Sequence, residues 1–245
     1  NKFNTSIKMF ETSDLNTIKT LITNKSESVI SLEFEKAPSS KRIKILKEYA
    51  LKKKIKVETK NFKNPKTKIN LKFKPSEPKN IEYLERLVEK HKNPIILLLD
   101  HITDPNNLGS ILRSCSGANV DAVVVPKSRS CHLTKTVREV SKGSSELIPF
   151  VIVPNLKRIC DILKIRGFKI FGAEASDNSQ VIYDVNLKEK IGLIIGSENN
   201  GIQETLKSKC DKMIRIPIDE SLESLNVAVA TSIIVFEINR QKKNK

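Results

Sequence analysis

Between residues 94 and 218 the chain repeats one pattern: a short run of uninterrupted apolar residues, then a longer mixed stretch. The runs are "PIILLLD", "DAVVVP", "LIPFVIV", "FKIFGAEA", "IGLIIG" and "MIRIPI". A strand with one face in water alternates polar and apolar residues, whereas a strand covered on both faces is apolar throughout. The segments between the runs are long enough for helices, and Ile81, Leu84, Leu87 and Val88 fall on one face of a helix that precedes them. The pattern predicts an α/β domain with a mainly parallel sheet over residues 81–240.

In such sheets ligands bind beyond the carboxyl ends of the strands, where loops and helix N-termini present free backbone groups. Three strand ends here are chemically loaded: "DHITDPNNLGSILRSC" after the first, "GSENNGI" after the fifth and "IPIDESLESLNVAVA" after the last. In the first, Asp104-Pro105 starts a turn, Asn107 and Gly109 suit unusual backbone angles, and Arg113 stands in the helix that follows. In the second, Gly196 and Gly201 bracket Ser197 and Glu198, so that backbone groups and one carboxylate can approach a ligand. No lysine follows these glycines and there is no G-x-G-x-x-G, so neither a nucleotide phosphate loop nor a dinucleotide fingerprint is present.

Each segment alone has a plainer reading: an ordinary strand-to-helix turn with Glu198 favoured by the helix dipole, or a helix start capped by Ser224 or Asn226. The helix from Val227 is apolar nearly all round, which predicts burial, in part against a partner subunit.

Taken together and in this order, the three segments resemble the signature motifs of the SpoU-type (TrmH-like) RNA ribose 2′-O-methyltransferases of the SPOUT superfamily. The stretch from Ala122 to Val153 is similar to the branch that acts on a 23S rRNA guanosine. The resemblance is strong over residues 94–240 and loose before them. It implies a C-terminal deep trefoil knot, binding of S-adenosylmethionine in that knot, a homodimer, and a small N-terminal α/β domain, similar to a ribosomal protein, that binds RNA.

The resemblance also assigns residues. Arg113 stands nearest the reacting hydroxyl; an arginine is a poor proton acceptor, which favours holding a phosphate and stabilising a developing alkoxide over acting as base. Asn107 would orient Arg113 or the ribose, Glu198 would hold the arrangement, and Ser224 with Asn226 would complete the pocket. The cofactor would meet mainly backbone around Gly196, Ile216 and Leu225, and no metal is implied. Asn199 and Asn119 replace glycines common in the family, and asparagine tolerates positive φ best among the other residues. His101 replaces a residue that is usually small. Methylation of tRNA instead of rRNA, or a non-catalytic RNA-binding role in ribosome assembly, stays open.

The net charge of +16 concentrates at the start, where residues 1–75 hold 19 Lys and Arg against 7 Asp and Glu. Such a module suits a polyanion, since each neutralised phosphate releases counterions, although part of the lysine can be solvated surface. Expected boundaries are a basic RNA-binding domain over 1–61, a proline-bearing linker over 62–80, the methyltransferase domain over 81–240, and a basic tail over 241–245. Cys115, Cys131, Cys160 and Cys210 include no close pair, so they read as reduced, mostly buried thiols. No apolar run approaches the ~18 residues that span a bilayer. A soluble protein is expected, in the cytoplasm if bacterial and in a mitochondrion or plastid if eukaryotic. The first residue, Asn1, leaves targeting open.

Overall fold

A computed structural model describes residues 9–36, 40–64 and 66–244. Its contacts divide the chain into two compact units, one up to Glu77 together with Lys142–Leu147, the other Pro78–Ser141 with Ile148 onward.

The first unit contains β1 (Phe10–Thr12), α1 (Leu15–Asn24), β2 (Val29–Phe34), α2 (Lys41–Lys52), β3 (Lys56–Thr59) and β4 (Ile69–Phe73). The sheet order is β1-β4-β2-β3, with β2 and β3 parallel and β4 antiparallel to both its neighbours. Ile18, Leu21 and Ile22 of α1 and Ile43, Leu46 and Ala50 of α2 pack against Leu32, Leu71 and Phe73 of the sheet. The Asp14 carboxylate caps α1 by accepting from the Thr17 amide at 2.8 Å.

The expected linker over 62–80 is corrected here, because β4 lies inside it and is an interior strand of this sheet. Ile69, Leu71 and Phe73 face inward while Lys72 pairs with Glu33 at 2.7 Å, a half-buried alternation that the surrounding lysines and prolines obscure. Lys79 already belongs to the second unit, where its amide donates to the Phe150 carbonyl at 2.7 Å. The expected module begins in residues 1–8, which lie outside the described residues.

The second unit runs α3 (Ile81–Lys90), β5 (Ile95–Asp100), α4 (Pro105–Gly117), β6 (Ala122–Pro126), α5 (Lys135–Val140), β7 (Phe150–Val153), α6 (Leu156–Ile165), β8 (Lys169–Ala173), β9 (Gln180–Val181), β10 (Ile191–Gly196), α7 (Glu204–Lys207), β11 (Lys212–Arg215) and α8 (Val227–Lys243). Its seven strands are ordered β7-β6-β5-β10-β8-β11-β9, and every pair is parallel. The six apolar runs are β5, β6, β7, β8, β10 and β11. All residues of β5 and β10 are buried. Leu97 and Leu99 face one layer with Ile111, Ile234 and Ile238, while Ile96 and Leu98 face the other with Leu84, Leu87 and Leu163. That two-sided covering is the reason these strands are apolar throughout.

The chain moves outward from β5 through β6 to β7, crosses to β8, and returns with β10 in the gap beside β5. The order therefore reverses between β5 and β10, and Gly196 lies in register with Asp100, so both following loops start at the same level of the sheet edge.

The expected tail over 241–245 is also corrected, since α8 continues to Lys243. Gln241 is buried; its amide accepts from the Leu187 backbone at 2.9 Å and donates to the Val185 carbonyl at 3.1 Å. Lys245 lies outside the described residues. All four cysteines are free. Burial pushes the Cys160 thiol up to about 12 and that of Cys210 to about 11, which keeps both neutral. No helix among the described residues is long and apolar enough to cross a membrane.

Candidate active site

The three polar strand-end segments meet at the reversal point. Asp104 caps α4, accepting from the Asn106 and Asn107 amides at 3.2 and 3.1 Å, with Pro105 in the first helical position. Asn107 is therefore helical, not a turn residue, and its side chain is aimed across the sheet edge. Its Nδ2 donates to Glu198 Oε1 at 3.2 Å, and its Oδ1 accepts from Asn226 Nδ2 at 3.0 Å.

Asn226 closes the triangle. Its Nδ2 also donates to Glu198 Oε1 at 2.7 Å, while its Oδ1 caps α8 by accepting from the Ala228 and Val229 amides at 3.0 and 3.3 Å. The Val227 amide donates to the same Glu198 oxygen at 3.4 Å. Glu198 Oε1 thus takes three donors and sits at the positive end of α8. One carboxylate and two carboxamides, from segments far apart in sequence, are fixed in a single orientation.

The turn that carries Glu198 depends on Gly196. The Ser197 amide donates to the Gly201 carbonyl at 3.2 Å and the Gly201 amide to the Ser197 carbonyl at 2.9 Å, folding the loop back over the strand end. A Cβ on Gly196 would lie 2.1 Å from the Gly201 carbonyl carbon, so no larger residue fits. Gly201 takes the left-handed angle of this turn at φ +60°, and Asn199 is not among the described residues with positive φ; Asn119 is, at +59°. His101 also takes a left-handed angle, +61°, beside Asp100, whose other oxygen accepts from the Gln203 amide at 2.8 Å.

Beside the triangle lies a cleft between the ends of β8, β10 and β11 and the start of α8. Glu198, Ser224, Gly196, Ile216 and Leu225 all line it. Sequence reasoning missed Ala173 and Glu174 at the end of β8, and Ile195, Ile214 and Ala230, which complete its walls. The small residues closing β8 were a usable signal; the isoleucines were not, because buried strand residues look alike whether they line a cleft or fill a core.

Arg113 is not brought into this cluster. It is exposed on α4, and among the described residues it makes no hydrogen bond or ion pair. Asn107 turns to Glu198 and Asn226 instead. Arg113 stands one helical turn before Gly117, where a Cβ would come within 3.2 Å of the Phe236 ring. Gly109 has a packing role in place of the expected turn role, since a Cβ there would meet Val140 Cβ at 2.7 Å where α4 and α5 touch. No histidine lines the cleft, and among the described residues no group of three or more His, Cys, Asp or Glu could hold a metal ion.

Residues 94–236 match the model of the SpoU rRNA Methylase family. The chain is 42% identical over 166 residues to the 23S rRNA (guanosine-2'-O-)-methyltransferase RlmB of Blochmanniella floridana, covering 67% of this chain and 65% of that protein. It is 41% identical over 169 residues to the enzyme of the same name from Pseudomonas aeruginosa, covering 69% and 68%. The matches thus span about two thirds of each relative's length. The fold is similar to that of the SpoU methyltransferase AviRb of Streptomyces viridochromogenes, solved with AdoMet, at a TM-score of 0.75 and 20% identity over 97% of this chain and 92% of that one.

Proposed function

The chain belongs to the SpoU rRNA Methylase family, and from that membership we propose that it transfers the methyl group of S-adenosylmethionine to a ribose 2′-hydroxyl of RNA, at a guanosine of large-subunit rRNA. The observation that carries this reading is the Asn107–Glu198–Asn226 triangle standing at the mouth of an apolar cleft.

The cleft fits the cofactor. Ile195, Ile214, Ile216 and Leu225 offer flat apolar walls to an adenine, and the Gly196 turn offers backbone donors and acceptors. A cofactor without phosphates needs no phosphate loop, and none is present. When bound, S-adenosylmethionine supplies an electrophilic methyl on a sulfonium. The protein's part is to place the hydroxyl in line and to favour its ionised form.

Glu198 acts through the carboxamides: it holds Asn107 and Asn226 rigid, and their remaining surfaces orient the ribose. Arg113 is the cation for the RNA phosphate and the developing alkoxide. Because it stands outside its own chain's triangle, we place it at the site of a second copy. An exposed stripe supports such a homodimer: Val229 and Phe236, each 48% exposed, lie seven residues apart on α8 beside α4. A C-terminal trefoil knot belongs to the same reading. The segment after β11 returns past the Ser197–Gly201 loop to α8, which packs on α4 and is tied to that loop through Asn226.

The basic first unit, an α/β module with its own core, is the RNA-binding domain of this reading. Its place of work is wherever large-subunit rRNA is made, the bacterial cytoplasm or an organelle. The test is transfer of label from tritiated S-adenosylmethionine to unmodified large-subunit rRNA, with tRNA as the parallel substrate. Label in rRNA alone supports the proposal, and label in tRNA alone overturns its substrate.

A further inference from the structure

A second cleft opens on the far side of the Ser197–Gln203 loop, at the carboxyl ends of β5, β6 and β7. Its volume is about 370 Å³, and His101, Arg129, Asn155, Lys157 and Gln203 line it above the buried Asp100. Both Asp100 oxygens are engaged, one by His101 and one by the Gln203 amide, so the floor's hydrogen-bonding capacity is already in use within the protein.

The rim is cationic without internal partners. Arg129 and Lys157, which line the cleft, are exposed, and among the described residues neither forms an ion pair; their near neighbours in sequence, Lys127 and Arg158, are exposed and unpaired as well. Lys157 and Arg158 occupy the first turn of α6, which has no acidic residue. Cations there oppose the helix dipole, so their placement is not helix-stabilising. Arg129 is held at φ +54° and His101 at +61°, backbone angles that cost a non-glycine residue about 1 kcal/mol or more. The costly loop conformations and the misplaced cations converge on one cavity.

We propose that this cleft holds a backbone phosphate of the substrate RNA close to the nucleotide being methylated, with Arg129 and Lys157 as its cations. The proposal rests on the RNA reading above. The geometry suits it, because the Ser197–Gln203 loop borders both clefts. Neighbouring parallel strands are about 4.8 Å apart, so a strand of RNA laid along the sheet edge from β10 towards β7 would pass from the triangle into this cleft.

The test uses the full-length protein, a fluorescein-labelled single-stranded RNA and a series of salt concentrations. The variant carries Arg129→Gln with Lys157→Gln; the control carries Lys188→Ala with Lys243→Ala, two exposed lysines away from this cleft. The expected result is a log-affinity against log-salt slope shallower by about 0.7 to 1.4 in the cleft variant, one or two phosphate contacts. The control keeps the parent slope, and S-adenosylmethionine affinity by calorimetry is the same in all three proteins. Equal slopes in variant and control overturn the cleft assignment while leaving the RNA reading intact. A parent that shows no salt-dependent RNA binding overturns both. Inorganic phosphate binding that the cleft variant loses, with the RNA slope unchanged, would identify a free-anion site and overturn the RNA assignment.

Discussion

Asn226 and Glu198 are joined so that one side chain serves both fold and site: the Asn226 oxygen caps α8 while its nitrogen holds the Glu198 carboxylate at 2.7 Å. The start of the last helix and the orientation of the triangle are therefore one structural event.

Replacing Asn226 by Ala removes both roles. Loss of the cap costs about 1 kcal/mol, read as a lower thermal midpoint, and methyl transfer falls by at least about 100-fold. Asn226→Asp keeps an oxygen for the cap but sets a second carboxylate against Glu198. It is expected to recover stability without recovering transfer, and recovery of both would show that the triangle is not needed.

Gly196→Ala drives a methyl group into the Gly201 backbone, so the turn must open. Calorimetry is expected to show S-adenosylmethionine affinity lower by at least about tenfold, ~1.4 kcal/mol. Gly109→Ala meets Val140 instead and lies outside the cleft. Its expected effect is a stability loss of about 1–3 kcal/mol from overpacking, with cofactor affinity in the folded protein retained.

Arg113→Ala abolishes methyl transfer while changing cofactor affinity by less than about tenfold. Stability stays within about 0.5 kcal/mol, because the side chain is exposed and has no partner in its own chain. Unaltered transfer by this variant would remove Arg113 from the mechanism. A mixture of Arg113→Ala and Asn107→Ala chains that regains part of the activity would support the placement of Arg113 at a second copy's site.

The first unit has an acid-sensitive element in Glu33, which is nearly buried in the sheet. Burial alone would raise its pKa, but hydrogen bonds from Lys72, Asn70 and Lys60 outweigh that and hold it at about 2. A carboxyl depressed on folding stabilises above its unfolded value of about 4.3 and loses that contribution as pH falls towards 2. Thermal scans between pH 6 and 3 should therefore show a loss that Glu33→Gln lacks, about 2 kcal/mol at most after screening.

The sheet of the second unit was legible because burial on both faces leaves no polar positions, and β5 and β10 show it in every residue. β4 was not, since Ile69, Leu71 and Phe73 alternate with Asn70 and Lys72 inside a lysine- and proline-rich stretch, and its partners lie far away in sequence. Gly196, Glu198 and Ser224 line one cleft and Asn226 bonds Glu198 beside it, while Asn119, elsewhere in the chain, has the left-handed angle expected of it. Asn199 does not, because Gly201 already supplies that angle. Arg113 was not placed from sequence because Asn107 was expected in the turn; with α4 starting at Pro105, the six-residue step between them sets the two positions about 120° apart around one helix.

The most direct measurement maps ribose methylation nucleotide by nucleotide in unmodified large-subunit rRNA incubated with the protein and S-adenosylmethionine. One new 2′-O-methylated guanosine is expected, absent when the protein carries Glu198→Gln or Asn107→Ala. No new ribose methylation, or a methyl group placed on a base, would contradict the proposed function.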